Sequence, residues 1–401
     1  MTNTVLTHQM IAREAADVFM EAAPFLKTIN RGRESEFGVD RGGYKVGDSV
    51  SIKIPPTGTV YDGATFAGGG SAPAFAESSV NVTLSNQKHV PLTFTAKEKV
   101  LNITDFRDRI LKPQISTLAA YVEADMIAAA AKLTPNLVGV PGSTPANLKV
   151  FQQARAALQR NLCPADPRTV LLSSEANVEI VDSSRGIFNP VKEISNQYTT
   201  GAIGNALGAD WFECVNLPSI TNGDQVTSVT VKGASQTGST ILMNATTGKV
   251  FKKGQVFTLA NVYAVHPLTG NAYTTLRQFV ITADATASSS QVSLSIYPAI
   301  TTAAPNQTVN ASPADAAVVT FVGDASASYT NSLIYHRDAF TAAFAPLPVL
   351  ASCEGYTYSA NGFAIRVMTF GNGQSDTEST RIDVLYGIQA VRGIHACRII
   401  Q

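Results

Sequence analysis

The sequence predicts an α+β fold in which an antiparallel β-barrel domain is inserted into a helix-containing domain. Three observations carry this prediction. Between Leu111 and Met126 apolar residues recur at three- and four-residue steps, the period of an amphipathic helix. Between Asn222-Gly223-Asp224 and Gly323-Asp324 the pattern changes to short alternating strands separated by turn residues, which reads as a small barrel or sandwich. After Ser332 a mixture of helix and strand patterns returns. A block of pure β pattern with the same mixed style on both sides is an insertion.

The elements follow in order. From about Thr7 to Leu26 a short helix places Ile11, Ala15, Val18 and Phe19 on one side. The next segment is crowded with charge: Lys27, Arg31, Arg33, Glu34, Glu36, Asp40 and Arg41. Ser49–Ile54 alternates as a strand, Pro55-Pro56 stops it, and strand pattern resumes at Val80, Val82 and Leu84. Between them Thr57–Phe75 is rich in Gly and Ala, so two strands with a long tip form an extended arm. The run Gly68-Gly69-Gly70 has no Gly-Lys-Ser/Thr behind it and is not a phosphate loop.

Pro113 suits a first helical position, where its missing N–H costs nothing. A helix from there to Leu133 spans about 30 Å, and Pro135 ends it. Helices are expected near Ala146–Gln159 and Ser174–Val181, with a strand at Arg168–Leu172. The β block places strands at Val226–Val231, Thr240–Met243, Gln255–Ala260, Arg277–Thr282, Gln291–Tyr297 and Val318–Val322. In the fifth, Val292, Leu294 and Ile296 face one way and Ser293 and Ser295 the other. Farther on, Asn361-Gly362 suits a hairpin turn between Tyr358 and Ile365. "RIDVLYGIQAVRGIHACRII" reads as one last strand, ordered only if it pairs.

Composition excludes several function classes. Charged residues are 15% of the 401, and 30 Lys plus Arg balance 30 Asp plus Glu. A neutral chain has no global field with which to gather nucleic acid or anionic lipid. Met1–Met20 lacks the apolar core of a signal peptide, so none is expected, and no apolar run approaches the roughly 18 residues of a membrane span. Cys163, Cys214, Cys353 and Cys397 form no CxxC pair and are expected as free thiols. His8, His89, His266, His336 and His395 lack metal-ligand spacing. No Gly-x-Ser-x-Gly elbow is present. Cys163 or Cys353 with a distant His is a pairing that any chain of this Cys and His content permits. Trp211 reads as core, and His336-Arg337-Asp338 as a helix cap or ion pair. No catalytic residue, cofactor or metal is expected.

Several strings in order carry a resemblance. "SSEANVEIVDSSRGIFNP", "NATTGKVFKKGQVFTLANV" and "RIDVLYGIQAVR", the last with Tyr386-Gly387-Ile388, are similar to segments of tailed-bacteriophage major capsid (coat) proteins. The order of parts resembles the HK97-type capsid fold, in the Salmonella short-tailed phage (P-twenty-two-like) coat protein branch with an inserted β-domain. That resemblance implies an N-terminal arm (1–42), an extended β-loop (43–90) and a peripheral domain with a spine helix (91–145). It further implies a first apical part (146–222), the inserted β-barrel (223–324) and a closing apical/peripheral part (325–401). One departure is that "GASQTGST", short and uncharged, stands where the family's insertion can carry a long charged hairpin, so the resemblance does not imply that hairpin's cross-capsomer contact here.

The function implied is a structural protein whose hexamers and pentamers close an icosahedral head around double-stranded DNA, without sequence-specific binding and without a membrane. Scaffolding, portal and decoration proteins are the implied partners, the virion the location and the bacterial cytoplasm the place of assembly. Two other readings are an encapsulin-like nanocompartment shell, and an enzyme or binding protein built around the β-domain. In a shell, Arg31, Arg33, Glu34, Glu36, Lys53, Tyr61, Phe66 and Phe75 are the candidate subunit contacts.

Overall fold

A computed structural model describes residues 8–32, 40–41, 44–45, 49–55, 58, 60, 63–64, 78–95, 112–145, 147–183, 203–360, 362–372 and 377–401. Helices α1 (His8–Ala22) and α2 (Pro24–Thr28) are followed by short strands β1 (Asp40–Arg41) and β2 (Tyr44–Lys45). Next come β3 (Ser49–Ile54), β4 (Ser78–Thr83), β5 (Asn86–Thr95) and the long helix α3 (Lys112–Lys132). Then follow β6 (Asn136–Gly139), α4 (Leu148–Arg160), β7 (Arg168–Leu172), α5 (Ser174–Ser183), β8 (Asn205–Ala206), β9 (Ala209–Glu213) and β10 (Ser219–Thr221). The β block holds β11 (Thr230–Val231), β12 (Gly238–Asn244), β13 (Val250–Phe251), β14 (Val256–Val265), β15 (Ala272–Ile281), β16 (Ala285–Thr286), β17 (Gln291–Ile300) and β18 (Val319–Phe321). The chain closes with β19 (Ser328–His336), β20 (Phe340–Ala345), β21 (Glu354–Ala360), β22 (Phe363–Asn372), β23 (Thr377–Ala390) and β24 (Ala396–Ile400).

These elements form two compact units. The first comprises Met1–Ile52, Asn81–Ile127 and Phe340–Gln389. Its sheet runs β20-β23-β22-β21, with β5 also paired to β23. β21 and β22 form the expected hairpin, with Tyr358 opposite Ile365 and Ala360 opposite Phe363. Of its turn, Gly362 has φ +75°, which suits glycine, and Asn361 lies outside the described residues. Helix α1 buries Ala12, Ala15, Val18 and Phe19, and the Phe19 ring lies 4.7 Å from Phe363. α2 is anchored from α3, where the buried Glu123 carboxylate accepts the Phe25 N–H at 2.8 Å. Along α3, Ile115, Leu118, Val122 and Met126 are buried as the periodicity predicts; Leu111 lies outside the described residues.

The second unit comprises Lys53–Val80, Ala128–Ala339 and Ala390–Gln401. Its sheet has the order β6-β24-β19-β7-β9-β8, with β10 on β19. The C-terminal strand β24 sits inside this sheet, parallel to β6 and antiparallel to β19. On one face α4 and α5 cover Val170, Leu172, Trp211, Ile334, Cys397 and Ile399. Asn147 caps α4, its side chain accepting the Lys149 N–H at 3.1 Å. Trp211 is core, as expected, and its Nε1–H donates to the Ala206 carbonyl at 2.8 Å.

The β block is a closed antiparallel barrel. Its strand order is β11-β12-β17-β15-β14-β18, and a bridge between Thr230 and Val318 joins the two ends. Closure removes free sheet edges. The interior is filled by Phe251, Phe257, Phe279 and Phe321 together with Leu259, Leu294 and Ile296. Leu294 is fully buried while Ser293 is exposed, so the faces of that strand are as the alternation predicts. The first expected strand shortens to Thr230–Val231, because Ser228 has φ +58° and breaks the extended run. The barrel rests on the other face of the unit's sheet, where Leu137, Tyr329 and Ile400 of the sheet meet Val256 and Val280 of the barrel. The Gln278 side-chain amide pairs with both the N–H and the C=O of Leu137, at 2.8 Å each.

Two expectations are corrected. The closing "strand" is two strands in different sheets, β23 and β24, separated by a 3₁₀ turn at Gly393–His395. At that turn a Cβ on Gly393 would lie 2.7 Å from the Leu133 carbonyl, so only glycine lets the chain bend there. The mixture expected after Ser332 is almost wholly β, with 3₁₀ turns and no α-helix among the described residues. Ala342, Ala343 and their neighbours make a strand buried on both faces, a pattern that periodicity alone does not separate from a helix. In His336-Arg337-Asp338 the histidine ends β19 and the other two open such a turn: Asp338 N–H donates to His336 Nδ1 at 3.2 Å, and the carboxylate stands 4.0 Å from that nitrogen.

Candidate functional site

Of the eight candidate contact residues, two are described. Arg31 is half-buried in the first unit, follows α2, and directs Nη1 to the Met20 sulfur at 3.1 Å. Its backbone backs onto the β21–β22 turn: a Cβ on Gly362 would lie 2.3 Å from the Arg31 carbonyl oxygen. The start of the charged segment is therefore pinned to the sheet. Lys53 is exposed on β3. Strands β3 and β4 form a two-stranded ribbon that buries Val50, Ile52 and Val82 and pairs with no other described strand. Arg33, Glu34, Glu36, Tyr61, Phe66 and Phe75 lie outside the described residues, as does most of the Thr57–Phe75 tip.

The ionisable groups inside each unit hold structure. Asp383 is fully buried on β23 and accepts from three elements. Its Oδ2 takes Arg366 Nε and Nη2 at 3.2 and 2.8 Å, while Oδ1 takes Arg381 Nε at 2.6 Å and Gln87 Nε2 at 3.2 Å. These bonds tie β5, β22 and β23 across one sheet. Sequence reasoning missed this network; the signal was the Arg381–Asp383 pair, spaced by two and therefore on one face of β23. Nearby, Tyr386 donates to Asp125 Oδ2 at 2.6 Å, and burial, then that carboxylate, hold the phenol far above its usual range. A Cβ on Gly387 would lie 2.1 Å from the Thr83 carbonyl oxygen. The aromatic-Gly-hydrophobic string thus marks a hydrogen-bonded anchor beside a close backbone crossing.

The Cys and His groups do not assemble into reactive pairs. Cys163 Sγ faces the His395 backbone carbonyl at 4.0 Å and not the imidazole. Burial raises the Cys163 thiol despite the nearby Arg168, and pushes Cys397 up to about 12. Raised thiols are poor nucleophiles at neutral pH. Arg168 instead braces a turn, donating to the Cys163 and Pro164 carbonyls at 2.7 Å each. His395 is pushed down to about 4, first by burial and then by Arg392 and His336, so it is neutral at pH 7. Among the described residues no group of three or more His, Cys, Asp or Glu could hold a metal ion. No described helix is long and apolar enough to cross a membrane.

The family model described as "P22 coat protein - gene protein 5" matches residues 2–396. No curated protein matches the chain. Among solved structures, one of Mycobacterium phage Che8 is similar at 13% identity and TM-score 0.49, over 94% of this chain and 90% of that one. The capsid of Ralstonia phage GP4 is similar at 9% identity and TM-score 0.45, over 89% and 84%. The holo-SrpI encapsulin complex from Synechococcus elongatus is similar at 9% identity and TM-score 0.43, over 100% and 91%. The assignment to a family rests on the sequence match.

Proposed function

The chain belongs to the P22 coat protein family and is a structural major capsid protein of a tailed phage; on that premise we propose that its hexamers and pentamers close an icosahedral head around double-stranded DNA. The observation that carries this reading is the family match along residues 2–396. A net charge of zero suits a wall that must contain DNA without gripping it. The ribbon β3–β4 is of use when neighbours of the same kind lie alongside it. Arg31, Arg33, Glu34, Glu36, Lys53, Tyr61, Phe66 and Phe75 serve subunit contacts in this proposal, with scaffolding, portal and decoration proteins as partners during assembly in the host cytoplasm. Cryo-electron microscopy of native particles tests it. This chain should trace the shell wall with DNA inside; a shell filled with protein cargo, or a wall built of another chain, would overturn it.

A further inference from the structure

Where the barrel meets α4, the second unit encloses a cavity of about 30 Å³ whose polar lining includes Asn136, Arg160, Asn161, Tyr273, Arg277 and Gln278. Two guanidinium-bearing residues line it, and no carboxylate does. Arg277 is only 6% exposed. Its Nη1 donates to Asn161 Oδ1 at 2.9 Å, while its Nε–H is buried with no hydrogen-bond partner among the described residues. Asn161 spends its own amide on the Ala157 carbonyl and Asn136 Oδ1, and Gln278 spends its amide on Leu137. The group left over is therefore a cationic donor. A buried, unmatched charge is costly. Burial, opposed by Tyr297 and aided by the neighbouring Arg160, draws Arg277 down to about 10, which still leaves it charged at neutral pH.

We propose that this cavity is a binding site for a monoatomic anion of the halide class, chloride in physiological solution, that staples the inserted barrel to α4. Guanidinium groups only donate, and a halide only accepts, so the two match without an unsatisfied proton. A water would need acceptors in return. At about 30 Å³ the cavity has room for one small ion and is too small for a bulky organic anion.

The test is calorimetry of the full-length, unassembled chain at fixed ionic strength, with sodium chloride exchanged for sodium gluconate, alongside line broadening in the chloride NMR signal. Chloride should raise the melting temperature by about 2 °C, as binding to the folded state alone requires, and should show a broadened resonance. Arg277→Met and Arg160→Gln should each abolish both effects. Should Arg277→Met fail to fold, Arg160→Gln, altered at a half-exposed helix end, decides alone. Equal melting in the two salts without broadening, the result if water or a neighbour's carboxylate fills the site, overturns the proposal. Chloride dependence that persists in a folded variant also overturns it.

Discussion

Asp383 shows how much one buried carboxylate does in this molecule. It pairs with both Arg366 and Arg381 and also holds Gln87, with no exposure to water. Asp383→Ala should leave Arg366 buried without its counter-charge and cost roughly 3–5 kcal/mol, read from denaturant unfolding. His395 makes the complementary case for a neutral group. Its folded value of about 4 lies below the ordinary 6.5, so the unfolded chain binds the extra proton first. Its contribution is complete above about pH 6.5 and is lost as pH falls towards 4, to a total of roughly 3 kcal/mol. His395→Gln should flatten that part of the stability-against-pH curve; an unchanged slope would remove His395 from the account. Leu294 and Ser293 are a matched pair on one strand, one fully buried and the other exposed. Leu294→Asp should cost several kcal/mol and give insoluble chain, while Ser293→Asp should melt like the parent.

At the scale of elements, the barrel carries its own core and closes its own edges, the conditions for folding alone. Residues 223–324 expressed separately should be soluble and melt cooperatively; a noncooperative fragment would show that the sheet beneath is part of its core. What the fragment loses is the seat, namely Gln278 on Leu137, Arg277 on Asn161 and the contacts of Val256 and Val280. The β23 anchor makes a second claim at this scale. Gly387 leaves no room for a side chain against the Thr83 carbonyl, so Gly387→Val must push the two backbones apart. A melting temperature several degrees lower is expected, with Ile388→Val as the mild control.

At the scale of the whole molecule, the proposed subunit contacts make their own prediction. The expected arm tip, Thr57–Phe75, offers Val60, Tyr61, Phe66 and Phe75 as its main apolar groups. Ordering such a segment costs roughly 1–2 kcal/mol per residue in backbone entropy, so in the proposed role its apolar groups take their partners from neighbouring subunits. Replacing residues 58–73 by a short Gly-Ser link should leave the monomer's melting temperature nearly unchanged and prevent closed particles. Sedimentation velocity and negative-stain microscopy measure both halves of that outcome. Normal shells from the deletion would reduce the arm to a surface loop.

Local pattern determined those parts of this protein whose signal is local. α3, β7, the β21–β22 hairpin and the alternation of β17 were legible because periodicity, proline placement and turn chemistry act within a few residues. The order of strings determined the family, since several separate matches in sequence are hard to produce by chance. Tertiary structure decided the rest. Whether the final run was one strand or two depended on the Leu133 carbonyl pressing against Gly393, a contact 260 residues apart in the chain. Whether Ala342 and Ala343 lay in helix or strand depended on burial on both sides, which erases the period that would tell them apart. Asp383, Arg277 and Arg160 acquired their roles in the same way, because a charge's energy is set by what surrounds it in space, and those neighbours come from distant parts of the chain.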